Sequence, residues 1–298
     1  MKMKKKKKRF SLSDFIMDFV IYTVLLLLTF VCLYPIWFVL MASFSDSNSI
    51  VQAAGVLFWP KNFTMGAYRM VFQNPLFLDG FWNSIKIELL SLPINIVMTM
   101  LLGYFMACSG MMFKRPIVYM VLLTMYFGGG MIPGFLNIKS LGLYNTIWAL
   151  VLPGAVSVYN SIICKTAIEA IPDSLRESAY IDGANDFQVI FKIILPLIKP
   201  TLAVLALYYG VGHWNAWFNA SIYLKDNHKL PIQNVLRSVL LTNSGANENS
   251  LVSGDFYDAF AETIKYAAIV ISTVPILCVY PFLQKYFAKG AMIGAVKG

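Results

Sequence analysis

"RESAYIDGANDFQVIFKIILPLIKP", residues 176–200, decides how the whole chain is read. It carries Arg176, Glu177, Asp182, Asp186, Lys192 and Lys199, yet long apolar runs flank it on both sides. A segment facing lipid could not hold that many charges, because each one at the bilayer centre costs several kcal/mol. The stretch is therefore a polar island outside the hydrocarbon, and the runs beside it are the parts that lie within. Composition agrees. Of 298 residues, 58% are hydrophobic and only 13% charged, where a soluble domain carries roughly a quarter charged. The mean hydropathy is +0.65. These features indicate an all-α, polytopic membrane protein.

Working outward from the island, apolar runs lie at about 15–42, 84–108, 116–135, 146–169, 196–222 and 262–287. Each is near the ~20 residues that a helix needs to cross the bilayer core, so six transmembrane helices are expected, with both termini on one side. The first run follows the basic stretch 1–14, is too long for a secretory h-region and ends in "MASFSDS" without a clear cleavage site, so it reads as a retained span. Lys and Arg number 24 against 15 acids, a net +9. Six spans place the basic N-terminus, Lys114, Arg115, Lys165, Arg176, Lys192, Lys199, Lys285, Lys289 and Lys297 on one side. Lys61, Arg69, Lys139, Lys225, Lys229 and Arg237 fall on the other, and Lys86 and Lys265 sit near span ends, within snorkelling reach. The positive-inside bias puts both termini and the island in the cytoplasm. In the third run, "MYFGGGMIPGF" should break or bend a helix. That break fits either close packing at the outer rim or a gate at a cavity wall. Residues 44–83 and 223–261 are external segments longer than a simple turn, which would either cap the protein for a partner or be merely ordered loops.

Several function classes are excluded. No GxxxxGK[ST] phosphate loop occurs, and neither HExxH nor GxSxG is present. Cys32, Cys108, Cys164 and Cys278 lie in or beside apolar runs without CxxC spacing, and His213 and His228 are not spaced as metal ligands. No metal site is expected. The basic excess has no soluble aromatic-interleaved domain in which to bind nucleic acid. These absences argue against bond-breaking chemistry and nucleotide hydrolysis by this chain.

Within the island, Ser174 and Glu177 have capping-box spacing. The helix that they would start stacks Ser178 over Asp182 and Ala179 over Gly183, a small-residue face that another backbone could approach. Gly183 permits a turn, and Asn185 with Gln188 suggests a second cap. Phe187, Ile190, Phe191 and Ile194 then recur as an amphipathic stripe. From spacing alone, this is either a helix pair lying on the membrane or a docking site.

Glu177-Ser178-Ala179, Asp182-Gly183-Ala184, Phe187, Phe191, Ile194-Leu195-Pro196 and Pro200 resemble the EAA loop of ABC importer permeases. Ser178 stands where the family usually has alanine. "FWNSI" (81–85), "LGLYNTIWALVLP" (141–153), "WNAWFNA" (214–220) and the closing "GAMIGAVKG" extend the likeness over nearly the whole chain. It is closest in character to the carbohydrate importers of the maltose class. "GGGMIPGF" and the basic N-terminus lean toward the complex or acidic oligosaccharide subgroup. The resemblance implies a type I importer permease fold in a bacterial cell membrane. The island, as cytoplasmic loop 172–195, would place a coupling helix in a separate ATPase through Glu177, Ser178, Ala179, Asp182, Gly183, Ala184 and Phe187. The cytoplasmic tail 288–298, with Gly294, Lys297 and Gly298, would reach the same partner in extended form, unless it is simply a free end. Implied partners are a second permease, two ATPase copies and an external sugar-binding protein. ATP and Mg would be bound by the ATPase and not by this chain.

For the substrate path, aromatic faces and amides are the groups that hold sugars. Trp214, Asn215, Trp217 and Asn219 supply both in one run, with Asn215 and Asn219 sharing one helix face and Trp214 and Trp217 another. The same residues would suit an interfacial aromatic belt with interhelical amide bonds. Tyr159 and Asn160 are weaker candidates. A permease for another solute such as a peptide or sulfonate, a membrane-embedded enzyme and a scaffold are the alternative readings.

Overall fold

The computed structural model describes residues 12–52, 55–108, 112–242 and 261–295. Every regular element among them is helical. The chain divides into two compact units, residues 1–71 with 253–270, and residues 72–252 with 271–298.

The first unit is dominated by α1 (Leu12–Ser43). Its window from Phe15 is apolar on all sides, and none of the most hydrophobic stretch is buried. A helix that is oily all round belongs in lipid or against another membrane protein. At its end Met41 and Ala42 form a small core with Ile50 of α2 (Ser47–Gln52) and Leu57. The Trp37 indole N–H donates to the Phe58 carbonyl at 2.9 Å, and Tyr34 Oη accepts from Leu57 N–H at 3.1 Å. These bonds fold the following loop back on α1. α3 (Gly66–Gln73) follows that loop.

The second unit is built around α4 (Pro75–Ala107). Pro75 supplies a first turn that needs no N–H, and the Asn74 side chain caps Leu76 N–H at 3.0 Å. The helix therefore starts well before the expected residue 84. It packs against α8 (Val158–Glu169), α11 (Lys199–Asn215) and α13 (Ile232–Thr242). Gly103 permits the α8 contact, since a Cβ there would lie 2.9 Å from Cys164 Cβ.

Six uninterrupted helices are not what the described residues form. Two helices, Phe15–Ser43 within α1 and Pro75–Ala107, are long and apolar enough to cross alone. A third candidate is the pair α10 (Asp186–Leu197) and α11, which meet at an 85° bend. The third run becomes α5 (Lys114–Leu123) and α6 (Met131–Ser140), parted at Gly128–Gly130. The helix breaks there, as the glycine run led us to expect, and Gly130 sits at φ +86°. The fourth run becomes α7 (Trp148–Val151) and α8, parted where Pro153 and Gly154 interrupt helical hydrogen bonding. The fifth continues past α11 into α12 (Phe218–Tyr223). α14 (Ala261–Ala295) contains a shorter apolar stretch, Thr263–Val279, and stays helical through Gly294, where an extended tail was expected from residue 288. Lys297 and Gly298, the basic residues at the N-terminus and positions 243–260 lie outside the described residues.

Candidate functional site

The polar island folds into two helices joined at a sharp corner. α9 (Asp173–Ile181) follows Pro172, which is its N-cap residue. The expected capping box at Ser174 is therefore absent, because Ser174 lies within the first turn and its carbonyl accepts from Ser178 Oγ at 2.8 Å. Arg176 pairs with Asp173 at the same end. At the other end Ala184 N–H reaches the Ala179 carbonyl at 2.9 Å and Gly183 N–H the Tyr180 carbonyl at 3.0 Å. This is a Schellman stop with Gly183 at φ +84°. The second cap is present in full. Gln188 N–H donates to Asn185 Oδ1 at 2.9 Å, while Asn185 N–H donates to Gln188 Oε1 at 3.0 Å. The corner between α9 and α10 thus has no slack residues.

Beyond it, α10 carries a π turn over Val189–Ile194. The wider i→i+5 turn redistributes the expected stripe. Val189, Ile190 and Ile194 bury, whereas Phe187 and Phe191 face outward, at 66% and 50% exposure. Glu177, Ser178, Asp182 and Gly183 are also exposed, and Ile181, at 86%, is the most exposed apolar side chain of the corner. The two alanines face the other way. Ala179 is buried and Ala184 half-buried against Met100, Tyr104, Cys164 and Ile168. Their small size serves packing within this chain rather than a surface for an incoming backbone.

Polar contacts fix the loop to α4. Tyr180 Oη donates to Asp186 Oδ1 at 2.6 Å, and Tyr104 Oη donates to the same oxygen at 2.9 Å. The two hydroxyl oxygens are 2.8 Å apart. Each carries a single proton, so a Tyr-to-Tyr bond can form only when one hydroxyl turns from the carboxylate. The hydroxyls of Tyr180 and Tyr104 hold the Asp186 carboxyl below its usual range. Arg176 lies 3.8 Å from Cys108 Sγ, and Lys114 Nζ donates to the Cys108 carbonyl at 2.6 Å.

A second set of polar residues was missed in the sequence. Ser84, Glu88, Ser91, Asn95 and Thr99 recur at i, i+4, i+7, i+11 and i+15 along α4, a helical period hidden inside a run that reads as apolar overall. Ser84 Oγ accepts from Ile232 N–H at 2.9 Å. Asn95, fully buried, donates to the Gly154 carbonyl at 2.6 Å and accepts from His213 Nε2 at 2.8 Å. Thr99 and Tyr209 share a bond at 2.6 Å, and Tyr209 Oη also accepts from Ser157 N–H at 2.9 Å. These bonds fix α4 against α11, α13 and the α7–α8 segment. Glu88 Oε1 and Ser91 Oγ, between them, are buried with no hydrogen-bond partner among the described residues.

The sugar-path candidates are dispersed. α11 ends at Asn215 and α12 starts at Phe218, so Asn215 and Asn219 do not share one helix face as expected, nor do Trp214 and Trp217. Trp214 is buried, donates to the Ser272 carbonyl at 2.9 Å and meets Phe81 edge to face. Asn215 turns back to the Val211 carbonyl at 2.8 Å. Trp217 lies beneath the Arg237 guanidinium, 3.6 Å from the ring centroid. Asn219 and Tyr159 are exposed, and Asn160 is buried. No cluster of His, Cys, Asp or Glu suited to a metal occurs among the described residues.

Residues 3–292 match the family of binding-protein-dependent transport system inner membrane components. The chain belongs to this family. As such a component it is an inner-membrane transport subunit rather than an enzyme. It is 40% identical over 281 residues to the polygalacturonan/rhamnogalacturonan transport system permease protein YtcP of Bacillus subtilis, covering 94% of this chain and 98% of that one. It is 27% identical over 275 residues to the arabinooligosaccharides transport system permease protein AraQ of Halalkalibacterium halodurans, covering 91% and 93%. Among solved structures, a bacterial ABC transporter involved in the import of the acidic polysaccharide alginate superposes with a TM-score of 0.86 at 30% identity, over 94% of this chain and 100% of that one.

Proposed function

We propose that this permease is one of a pair that moves an oligosaccharide, of the acidic or complex class, into the cytoplasm by alternating access. The relatives' substrates support the sugar class, and the distribution of Lys and Arg supports cytoplasmic termini. The observation that carries the mechanism is the corner of the island. It presents Ile181, Phe187 and Phe191 to the outside while Ala179, Val189 and Ile194 bind it to the body of the chain. An apolar projection on a rigid, inward-anchored corner suits insertion into a groove on a separate ATPase. Glu177, Asp182 and the turn at Gly183 shape its rim. ATP and Mg bound by two copies of that ATPase would supply the energy, and an external sugar-loaded binding protein would deliver the substrate. A ligand can shift the two-state equilibrium only through contacts that differ between states, and the corner is where ATPase closure would make that difference.

The test is reconstitution of both permeases with the ATPase and binding protein in vesicles. ATP-dependent uptake of an oligogalacturonide is expected, with Glu177→Lys or Ile181→Asp releasing the ATPase from an inserted, folded permease. Uptake of a peptide or sulfonate instead would overturn the sugar assignment. Full retention of the ATPase by both variants would overturn the docking assignment.

A further inference from the structure

We propose that the bond between Tyr104 and Asp186 is the joint that transmits displacement of the docking corner to α4, making Tyr104 a positioning residue for transport. The inference rests on the docking role proposed for the corner. Apolar packing between the loop and α4 is non-directional and tolerates sliding. A hydrogen bond to a carboxylate is directional and roughly twice as strong as a neutral one, so it fixes register. Of the three groups that meet here, Tyr180 and Asp186 both belong to the loop, and only Tyr104 belongs to α4. Tyr104 is 4% exposed and stands off the docking surface. Five residues up the same helix is Thr99, bonded to Tyr209 of α11, and Tyr209 in turn holds the Ser157 N–H at the start of α8. Above that, Asn95 ties Gly154 and His213 to the same helix. A pull on Asp186 therefore reaches α4 first and is then shared with α8 and α11 through bonds of defined length. The Arg176 contact to Cys108, at 3.8 Å to sulfur, is too weak to replace the joint.

The asymmetry of the cluster makes the proposal testable. Tyr104→Phe removes the hydroxyl on α4 and leaves the Tyr180–Asp186 bond within the loop. Tyr180→Phe removes a loop hydroxyl and leaves the bond that crosses to α4. The readout is substrate transported per ATP hydrolysed, measured in vesicles containing the complete transporter. Tyr104→Phe should lower that ratio about tenfold, the factor that one charge-assisted hydrogen bond carries, while ATPase still co-purifies in wild-type amounts. Tyr180→Phe should keep the ratio within about twofold of wild type, because the register of α4 is retained. An unchanged ratio in Tyr104→Phe, or an equal fall in both variants, overturns the joint. Asp186→Asn keeps a side chain of the same size and a neutral acceptor for Tyr104, so its ratio should fall between wild type and Tyr104→Phe, and a fall larger than that of Tyr104→Phe also overturns the joint. Failure of the docking reading is separable. It would appear as full ATPase retention by both Glu177→Lys and Ile181→Asp, independent of any ratio.

Discussion

Replacing Gly103 with alanine tests whether α4 and α8 are as close as the backbone places them. An added Cβ would lie 2.9 Å from Cys164 Cβ, 3.0 Å from its sulfur and 3.2 Å from Lys165 N. Carbon atoms in ordinary contact sit about 3.5–4.0 Å apart, so the helices would have to separate by roughly 0.5–1 Å. Overpacking of this kind costs about 1–3 kcal/mol. Alanine recovers about 0.8–1.0 kcal/mol of helix propensity over glycine, leaving a net loss of about 1 kcal/mol. The paired substitution Cys164→Gly removes the two closest contacts and keeps the one to Lys165 N. The double variant should therefore be less destabilised than the sum of the single ones by about 1–2 kcal/mol, a coupling typical of residues in contact. Thermal unfolding of the detergent-solubilised permease, followed by tryptophan fluorescence, reads all four corners of the cycle. Wild-type stability in Gly103→Ala with no coupling to Cys164 would refute the close approach.

Asn95→Leu leaves the Gly154 carbonyl and His213 Nε2 without their partner, and should cost about 1–2 kcal/mol, read as a lower melting temperature. At Gly183, φ is +84° but nothing lies within 4 Å of an added Cβ, so the penalty is backbone strain alone, about 1–2 kcal/mol for most side chains. Gly183→Val should weaken ATPase co-purification while Gly183→Asn, which tolerates this backbone region, should keep most of it. His228 Nδ1 donates to Asp79 Oδ2 at 2.6 Å, and this bond raises the imidazole above its usual range. The folded form holds the proton more tightly than the unfolded, so the contribution is complete below the unfolded value and is lost as pH rises through the raised folded one. Asp79→Asn should abolish that dependence in a pH series of melting curves.

What was legible in the sequence depended on how local the signal was. The Asn185/Gln188 cap and the turn at Gly183 arise within a few residues, and both were read correctly. The long first helix was equally plain, since no charged residue interrupts its apolar run after Asp18. Ser174 misled because capping-box spacing also occurs within the first turn of a helix, and Pro172 had already set the start. The stripe through Phe187 and Phe191 assumed an α-helical period, which the π turn at Val189–Ile194 changes. The amides at 215 and 219 were paired on a helix that ends between them. The polar seam of α4 was concealed by averaging, because a window hydropathy cannot register five polar residues spread through a mainly apolar run. Tyr104 and Asp186 lie 82 residues apart, and no local pattern could have joined them.

The seam and the joint together constrain how α4 can move. In hydrocarbon, where lipid is as apolar as a leucine, oily packing does little to fix one helix register over another. Directional bonds do so, and α4 has them at the levels of Thr99 and Asn95 toward α8 and α11, and at Tyr104 toward the loop. Sliding α4 by one turn against α11 would break the Asn95 and Thr99 bonds at once and strand buried polar groups without water to replace them. On the docking role proposed above, carrying the neighbours along would be the cheaper response, and α4, α8 and α11 would then follow the corner as a single body. Asn95→Leu should then do more than lower stability. By loosening α4 from α11 without touching the loop, it should reduce transport per ATP even when Tyr104 and Asp186 are intact, and a wild-type ratio in that variant would show that α4 does not carry its neighbours.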